Sequence, residues 1–215
     1  MDRRDAGRAL ARALESHRRE RPIVLGLPRG GVPVAAEVAR VLDAPLDVFV
    51  VRKLGVPWQP ELAMGAIASG GVLVRNEEVL SAVADADEAI ERVRAREQAE
   101  LERRERAYRG GRAGVAVAGR TVILVDDGLA TGSTMKAAIE ALRLAAAARI
   151  VVAVPVGPPD TCREIDALAD ELVCLERPAM FMAVGQWYDD FGQTTDQEVS
   201  ELLEQANAGG DAPAG

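Results

Sequence analysis

Histidine, cysteine and aromatic side chains are scarce in this chain of 215 residues, which has one His, two Cys, two Trp, two Tyr and three Phe. The single histidine, His17, leaves no histidine-based triad and no polyhistidine zinc site. Cys162 and Cys174 are too few for a disulfide framework and are expected to be reduced. Positive charge is not in excess either. The formal net charge is −8, which argues against nucleic-acid or anionic-membrane binding while leaving room for local basic loops. No apolar run is long enough to span a bilayer, and neither a signal peptide nor an internal repeat is visible. The expectation is a cytoplasmic protein with one core and no membrane partner, organised as a single domain over residues 1–206 with a disordered Gly/Ala/Pro tail at 207–215.

What the chain does have is concentrated in Thr121-Val-Ile-Leu-Val-Asp126-Asp127-Gly-Leu-Ala130-Thr131-Gly132-Ser133-Thr134. The continuous β-branched run from Val122 to Val125 predicts a parallel strand covered on both faces, and Met135 to Leu144 carries helical periodicity. The loop between them therefore lies at a strand's carboxyl end and a helix's amino end. Gly132 allows close backbone approach. The amides of Thr131 to Thr134 and the hydroxyls of Thr131, Ser133 and Thr134 can donate to phosphate oxygens. Asp126 and Asp127, acceptor-only when ionised, would repel a phosphate unless they face another group, and sugar hydroxyls are suited to them. An ordinary capped βα turn explains one hydroxyl and one glycine but not adjacent aspartates. The pattern Ser133-Thr-Met-Lys136 also matches the Ser-x-x-Lys of acylating serine hydrolases, without the companion motifs of that class.

This segment resembles the phosphoribosyl pyrophosphate signature of type I phosphoribosyltransferases, over about a dozen consecutive residues. The resemblance implies that Asp126 and Asp127 hold the ribose 2′ and 3′ hydroxyls and that Ala130, Thr131, Gly132, Ser133 and Thr134 wrap the 5′-phosphate. Gly128 departs from the pattern, where a larger apolar residue is usual, and suggests a more flexible loop. Ile23 to Leu27, Pro28-Arg29-Gly30-Gly31 and Val32 to Leu42 read as a second strand, turn and helix, with Pro33 placed in the helix's first turn. By the same resemblance Arg29, Gly30 and Gly31 are pyrophosphate contacts in a loop whose peptide bond the family often strains. Asp47 to Val51 is the next expected strand. It ends in Arg52-Lys53, which the resemblance assigns to the diphosphate, and Leu54 to about Leu62 would be a mobile flap; two solvated cations at a strand end are the alternative.

Ala63 to Ser69 and Gly71 to Val74 read as a hairpin joined at Gly70-Gly71. Between Ala84 and Arg109 alternating Glu and Arg predict one long helix that caps the sheet, pairs with another subunit, or is simply solvated. Further strands are expected at Ile150 to Val156 and Glu171 to Leu175, with a helix at Thr161 to Leu168. The fold class is thus α/β, a doubly wound, mostly parallel sheet flanked by helices, with a small C-terminal hood at about 177–206. The hood gathers Phe181, Trp187, Tyr188 and Phe191. In the family such a hood recognises the acceptor, making Phe181, Trp187 and Tyr188 acceptor candidates, although a segment packing on the core would use the same residues. Thr195-Asp-Gln-Glu198 suggests a capping box for a last helix to Gln205.

The reaction implied is pentosyl transfer: ribose 5-phosphate moves from phosphoribosyl pyrophosphate to a nitrogenous base or related nucleophile, with release of pyrophosphate. Arg52, Lys53, Asp126 and Asp127 are the expected catalytic group. Mg²⁺ is expected as cofactor, brought by the donor and water near the aspartates with no direct protein ligand assigned. Ala130 stands where 6-oxopurine enzymes carry an acidic residue, which disfavours that branch; the signature is closer to adenine enzymes, the remainder of the chain is not, and a separate bacterial-type branch fits better. Two alternatives belong to other classes: a regulatory module that binds the donor or a nucleotide, and a hydrolase of phosphoribosyl compounds. A homodimer is the favoured assembly.

Overall fold

Five short apolar segments pair in parallel to make the central sheet, in the order β2-β1-β6-β7-β8, in a computed structural model that describes residues 1–208. Their ranges are β1 Ile23–Gly26, β2 Leu46–Val48, β6 Thr121–Val125, β7 Arg149–Val156 and β8 Glu171–Glu176. Alternation along each strand sends side chains to opposite faces. Val24, Ile123, Val125, Val151 and Ala153 meet one layer of helices, built around α1 Arg3–Ala13, α2 Gly31–Leu42 and α7 Asp196–Ala208. Ile23, Leu25, Val122, Leu124, Ile150 and Val152 meet the other, α5 Ser133–Leu144 and α6 Pro159–Leu168. Two covered faces are what continuous apolar strands require, and the doubly wound class follows.

A second sheet was only half anticipated. β3 Val51–Val56, β4 Gln59–Ala68 and β5 Val72–Arg75 form an antiparallel ribbon. The β4–β5 hairpin turns at Gly70 and Gly71, both at positive φ, as expected. The strand expected at Asp47 to Val51, however, ends at Val48, and Arg52 and Lys53 lie inside β3 rather than after a strand. Likewise Leu54 to Leu62 is no irregular loop but two paired strands, with Val56 opposite Gln59 and Trp58 at the exposed tip. Leu54 and Val56 are buried and anchor β3, whereas Pro57 to Leu62 are exposed. Gly55 sits at an irregularity in the pairing where a Cβ would come 2.4 Å from the Pro60 carbonyl oxygen.

After the single turn α3 Glu77–Leu80, α4 Ala86–Arg109 is the long charged helix expected from the Glu/Arg pattern, and Gly110 ends it at φ 58°. Its inward stripe, Ala89, Ile90, Leu101 and Tyr108, is buried against β3, β4 and α7. The apolar face is thus covered within the chain. The expected C-terminal hood divides in two. Residues 177–195 are largely irregular, whereas α7 buries Val199, Leu202 and Leu203 in the main core. α7 also runs past Gln205 to Ala208, so Asn207 is helical, and the remainder of the expected tail lies outside the described residues. Within those residues no helix is long and apolar enough to cross a membrane.

Candidate active site

β1 and β6 are hydrogen-bonded neighbours in register from Ile23–Val122 to Gly26–Val125, so the loops that follow them emerge side by side. Their closeness is tight enough to demand glycine. A Cβ on Gly30 would stand 2.0 Å from Asp127 Oδ2, and one on Gly31 would stand 2.6 Å from the Val125 carbonyl oxygen. The Leu27 amide donates to that same oxygen at 2.9 Å, and the peptide bond between Pro28 and Arg29 is cis. The Arg-Gly-Gly turn therefore lies against the acid pair, and Arg29 Nη1 stands 3.6 Å from Asp196 Oδ1 at the start of α7.

In the second loop the Asp126 carboxylate accepts from the Asp127 amide at 2.8 Å. Burial pushes the Asp126 carboxyl well above the ordinary carboxylate value of 3.8, and the neighbouring charge of Asp127 adds to the shift. Asp127 is also raised by burial, with Arg3 opposing through its hydrogen bond and charge. Beyond them, Gly132 takes φ 71° and leads into α5. Thr131 and Ser133 share a hydroxyl contact of 2.7 Å, and both are exposed with Thr134. Among the described residues the amides of Thr131, Gly132 and Thr134 donate to nothing in the protein, which leaves a cluster of free donors at a helix amino end. The Thr161 hydroxyl steadies the loop by donating to the Ala130 carbonyl at 3.0 Å.

A family model described as a phosphoribosyl transferase domain matches residues 3–191. The chain belongs to that family. It is 50% identical over 206 residues to proteins of Mycobacterium tuberculosis strains CDC 1551 and H37Rv named "Putative phosphoribosyl transferase". The match covers 96% of this chain and 46% of those proteins, so the chain spans about half the length of the curated relatives it matches. The crystal structure of TT1426 from Thermus thermophilus superposes with a TM-score of 0.86 at 46% identity, over 95% of this chain and 97% of that one.

Within this phosphoribosyl transferase fold the remaining expected residues scatter. Arg52 Nε donates to the buried Glu97 of α4 at 2.9 Å, and its Nη2 binds the same carboxylate oxygen. Lys53 Nζ donates to the Glu61 carbonyl at 2.9 Å along the ribbon. Neither lines the cavity of about 350 Å³ beside Asp127, which is formed by Arg3, Arg29, Gly30, Asp127, Phe191 and Gly192 with their neighbours. Of the aromatics, Phe191 lines it, whereas Phe181, Trp187 and Tyr188 do not. Tyr188 is buried, and its hydroxyl donates to the Asp127 carbonyl at 2.6 Å. Gly128 is buried rather than loose: a Cβ there would meet Val184 at 2.7 Å, so a hood side chain fills the space a larger residue would take. A larger cleft of about 1000 Å³ lies at the outer edge of β2, lined by Arg40, Asp43, Asp47, Arg109 and Arg112. It is at the far end of α2 from the Arg-Gly-Gly turn and takes no part in this site. Arg3 is not among the expected site residues and no local pattern singles it out, whereas Phe191 stands in the expected aromatic cluster of the hood but not among its acceptor candidates.

Proposed function

We propose that this phosphoribosyl transferase moves a ribose 5-phosphate unit from phosphoribosyl pyrophosphate to a nitrogenous base or related nucleophile, releasing pyrophosphate. The observation that carries the reading is the contact between the two loops. Gly30, in the turn suited to a pyrophosphate, touches Asp127, in the pair suited to ribose hydroxyls, and the free amides of Thr131, Gly132 and Thr134 follow a few residues on. A sugar carrying a phosphate at one end and a diphosphate at the other needs that order of groups. Asp126 and Asp127 accept from the ribose hydroxyls, and Ala130 to Thr134 enclose the 5′-phosphate.

Little covalent chemistry is asked of the protein. Loss of the diphosphate builds positive charge on the sugar and negative charge on the leaving group. Arg29 answers the second by electrostatics, joined by Arg52 and Lys53 once they exchange Glu97 and Glu61 for the diphosphate. Among the described residues no three His, Cys, Asp or Glu side chains gather into a metal cage. Adjacent carboxylates next to a diphosphate site suit Mg²⁺, which keeps several waters and takes other oxygens from phosphates. When bound, it neutralises charge on the departing diphosphate. The acceptor enters through the cavity beside Phe191 and Gly192. Calorimetric titration with phosphoribosyl pyrophosphate, with and without Mg²⁺, followed by a pyrophosphate-release screen over nucleobases, tests the reading. Magnesium-dependent binding with release for one base is expected; absence of donor binding refutes it.

A further inference from the structure

The N-terminal helix brings to the acid pair a cation that the signature does not contain. We propose that Arg3 is a positioning residue for ribose recognition: its guanidinium holds the Asp127 carboxylate by one oxygen and leaves the other to accept a ribose hydroxyl. This rests on the donor-binding reading above.

Arg3 Nε donates to Asp127 Oδ2 at 2.8 Å, and both side chains are largely withdrawn from water, at 13% and 14% exposure. Its Nη1 donates to the Gly192 carbonyl at 2.6 Å. The guanidinium carbon lies 4.0 Å from the centre of the Phe191 ring and 5.8 Å from that of Tyr188. Four segments thus converge on one carboxylate: the loop after β6 supplies it, α1 the cation, residues 188–192 the aromatic wall, and the Arg-Gly-Gly turn a contact on Oδ2. α1 is itself fixed, by reciprocal bonds between Asp2 and Asp5 and by Ala6 and Leu10 in the core. Arg3 therefore reaches the site from a rigid base.

Two adjacent carboxylates repel, and a half-buried one without a partner turns toward water or takes a proton. Each of the two here has one oxygen engaged, Asp126 Oδ1 by the Asp127 amide and Asp127 Oδ2 by Arg3. That arrangement sets the direction of both remaining oxygens, which is what recognition of two neighbouring hydroxyls requires. The guanidinium suits the task because its planar fork reaches Asp127 and Gly192 together while its face lies on Phe191.

The test is calorimetric titration of the full chain, wild type against Arg3→Gln and Arg3→Lys, with ribose 5-phosphate and with pyrophosphate as separate probes. Losing a charge-assisted contact should weaken ribose 5-phosphate about tenfold in Arg3→Gln while pyrophosphate changes less than about twofold, with partial recovery in Arg3→Lys. Should Arg3→Gln fail to fold in a thermal melt, Arg3→Lys decides alone, by an intermediate loss confined to the ribose ligand. Equal losses for both ligands, no loss, or tighter ribose binding overturns the proposal; the last would mean that Arg3 occupies the ribose site. A wild type that binds neither probe overturns the donor-binding reading itself.

Discussion

Substituting alanine for Gly30 isolates the contact on which the site depends. The backbone does not oppose the change, because Gly30 lies at φ −61° and ψ −33°, which any residue adopts. A restricted unfolded chain would even favour alanine, by ~0.4–1 kcal/mol. The obstacle is the carboxylate: the new methyl would stand 2.0 Å from Asp127 Oδ2 and 2.7 Å from its Cγ. Asp127 must retreat by more than an ångström, and Oδ2 is the oxygen that holds Arg3 at 2.8 Å. Overpacking of this kind costs ~1–3 kcal/mol, and the strained ion pair adds to it. The expected net loss of about 1–3 kcal/mol lowers the melting temperature of a chain this size by roughly 3–10 °C. Affinity for ribose 5-phosphate in calorimetry should fall about tenfold or more, equivalent to ~1.4 kcal/mol. The decisive comparison places Gly30→Ala in an Asp127→Ala background, where the methyl has room. There it should cost nothing further, a coupling of ~1 kcal/mol or more. Additive losses, or a single variant that binds ribose 5-phosphate like wild type, would refute the reasoning.

Other outcomes follow from the same geometry. Arg109→Ala should destabilise the chain by ~3–5 kcal/mol in urea, because it leaves the buried Asp47 without the guanidinium that donates at 2.8 Å; a loss under about 1 kcal/mol contradicts the assignment. Leu203→Ala should cost ~2–5 kcal/mol of global stability, since Leu203 is buried in the main core, whereas a detached hood would leave the main melt unchanged. Asp126→Asn in metal-free buffer should melt higher than wild type at neutral pH. The folded-state pKa of Asp126 is raised above 3.8 by burial, so its stabilising contribution is present below that value and lost as pH rises through the raised one. The advantage of the Asn variant should accordingly vanish in melts below about pH 4, and an advantage independent of pH would refute the burial argument.

The sequence by itself determined most of the central strands, the helices that follow β1, β6 and β7, and the acid-and-hydroxyl loop, because each is written in a short window; α1, which packs beside α2, left no such signal. The apolar run Val122 to Val125, the two aspartates, Gly132 and the hydroxyls of Thr131, Ser133 and Thr134 suffice for strand, turn, helix start and chemistry together. Even Gly30 and Gly31 were legible as a turn, although the reason they must be glycine lies in Asp127 and Val125, about a hundred residues away. What only the tertiary structure decided depends on such distant neighbours. Arg3 meets Asp127 across 124 positions, Arg52 is held by Glu97 across 45, and Val184 fills the space over Gly128. Leu54 to Leu62 looked like a loop because its Gly and Pro are local signals, and its β3 part is anchored because Leu54 and Val56 find a core beneath them. α7 shows the same division: its helical start was visible at Thr195 to Glu198, while its place against α2 and α4 was set by burial of Val199, Leu202 and Leu203. Backbone preference acts over a few residues and leaves a trace in the local pattern. Which charge meets which, and which face is covered, is settled by packing between segments that the chain keeps far apart.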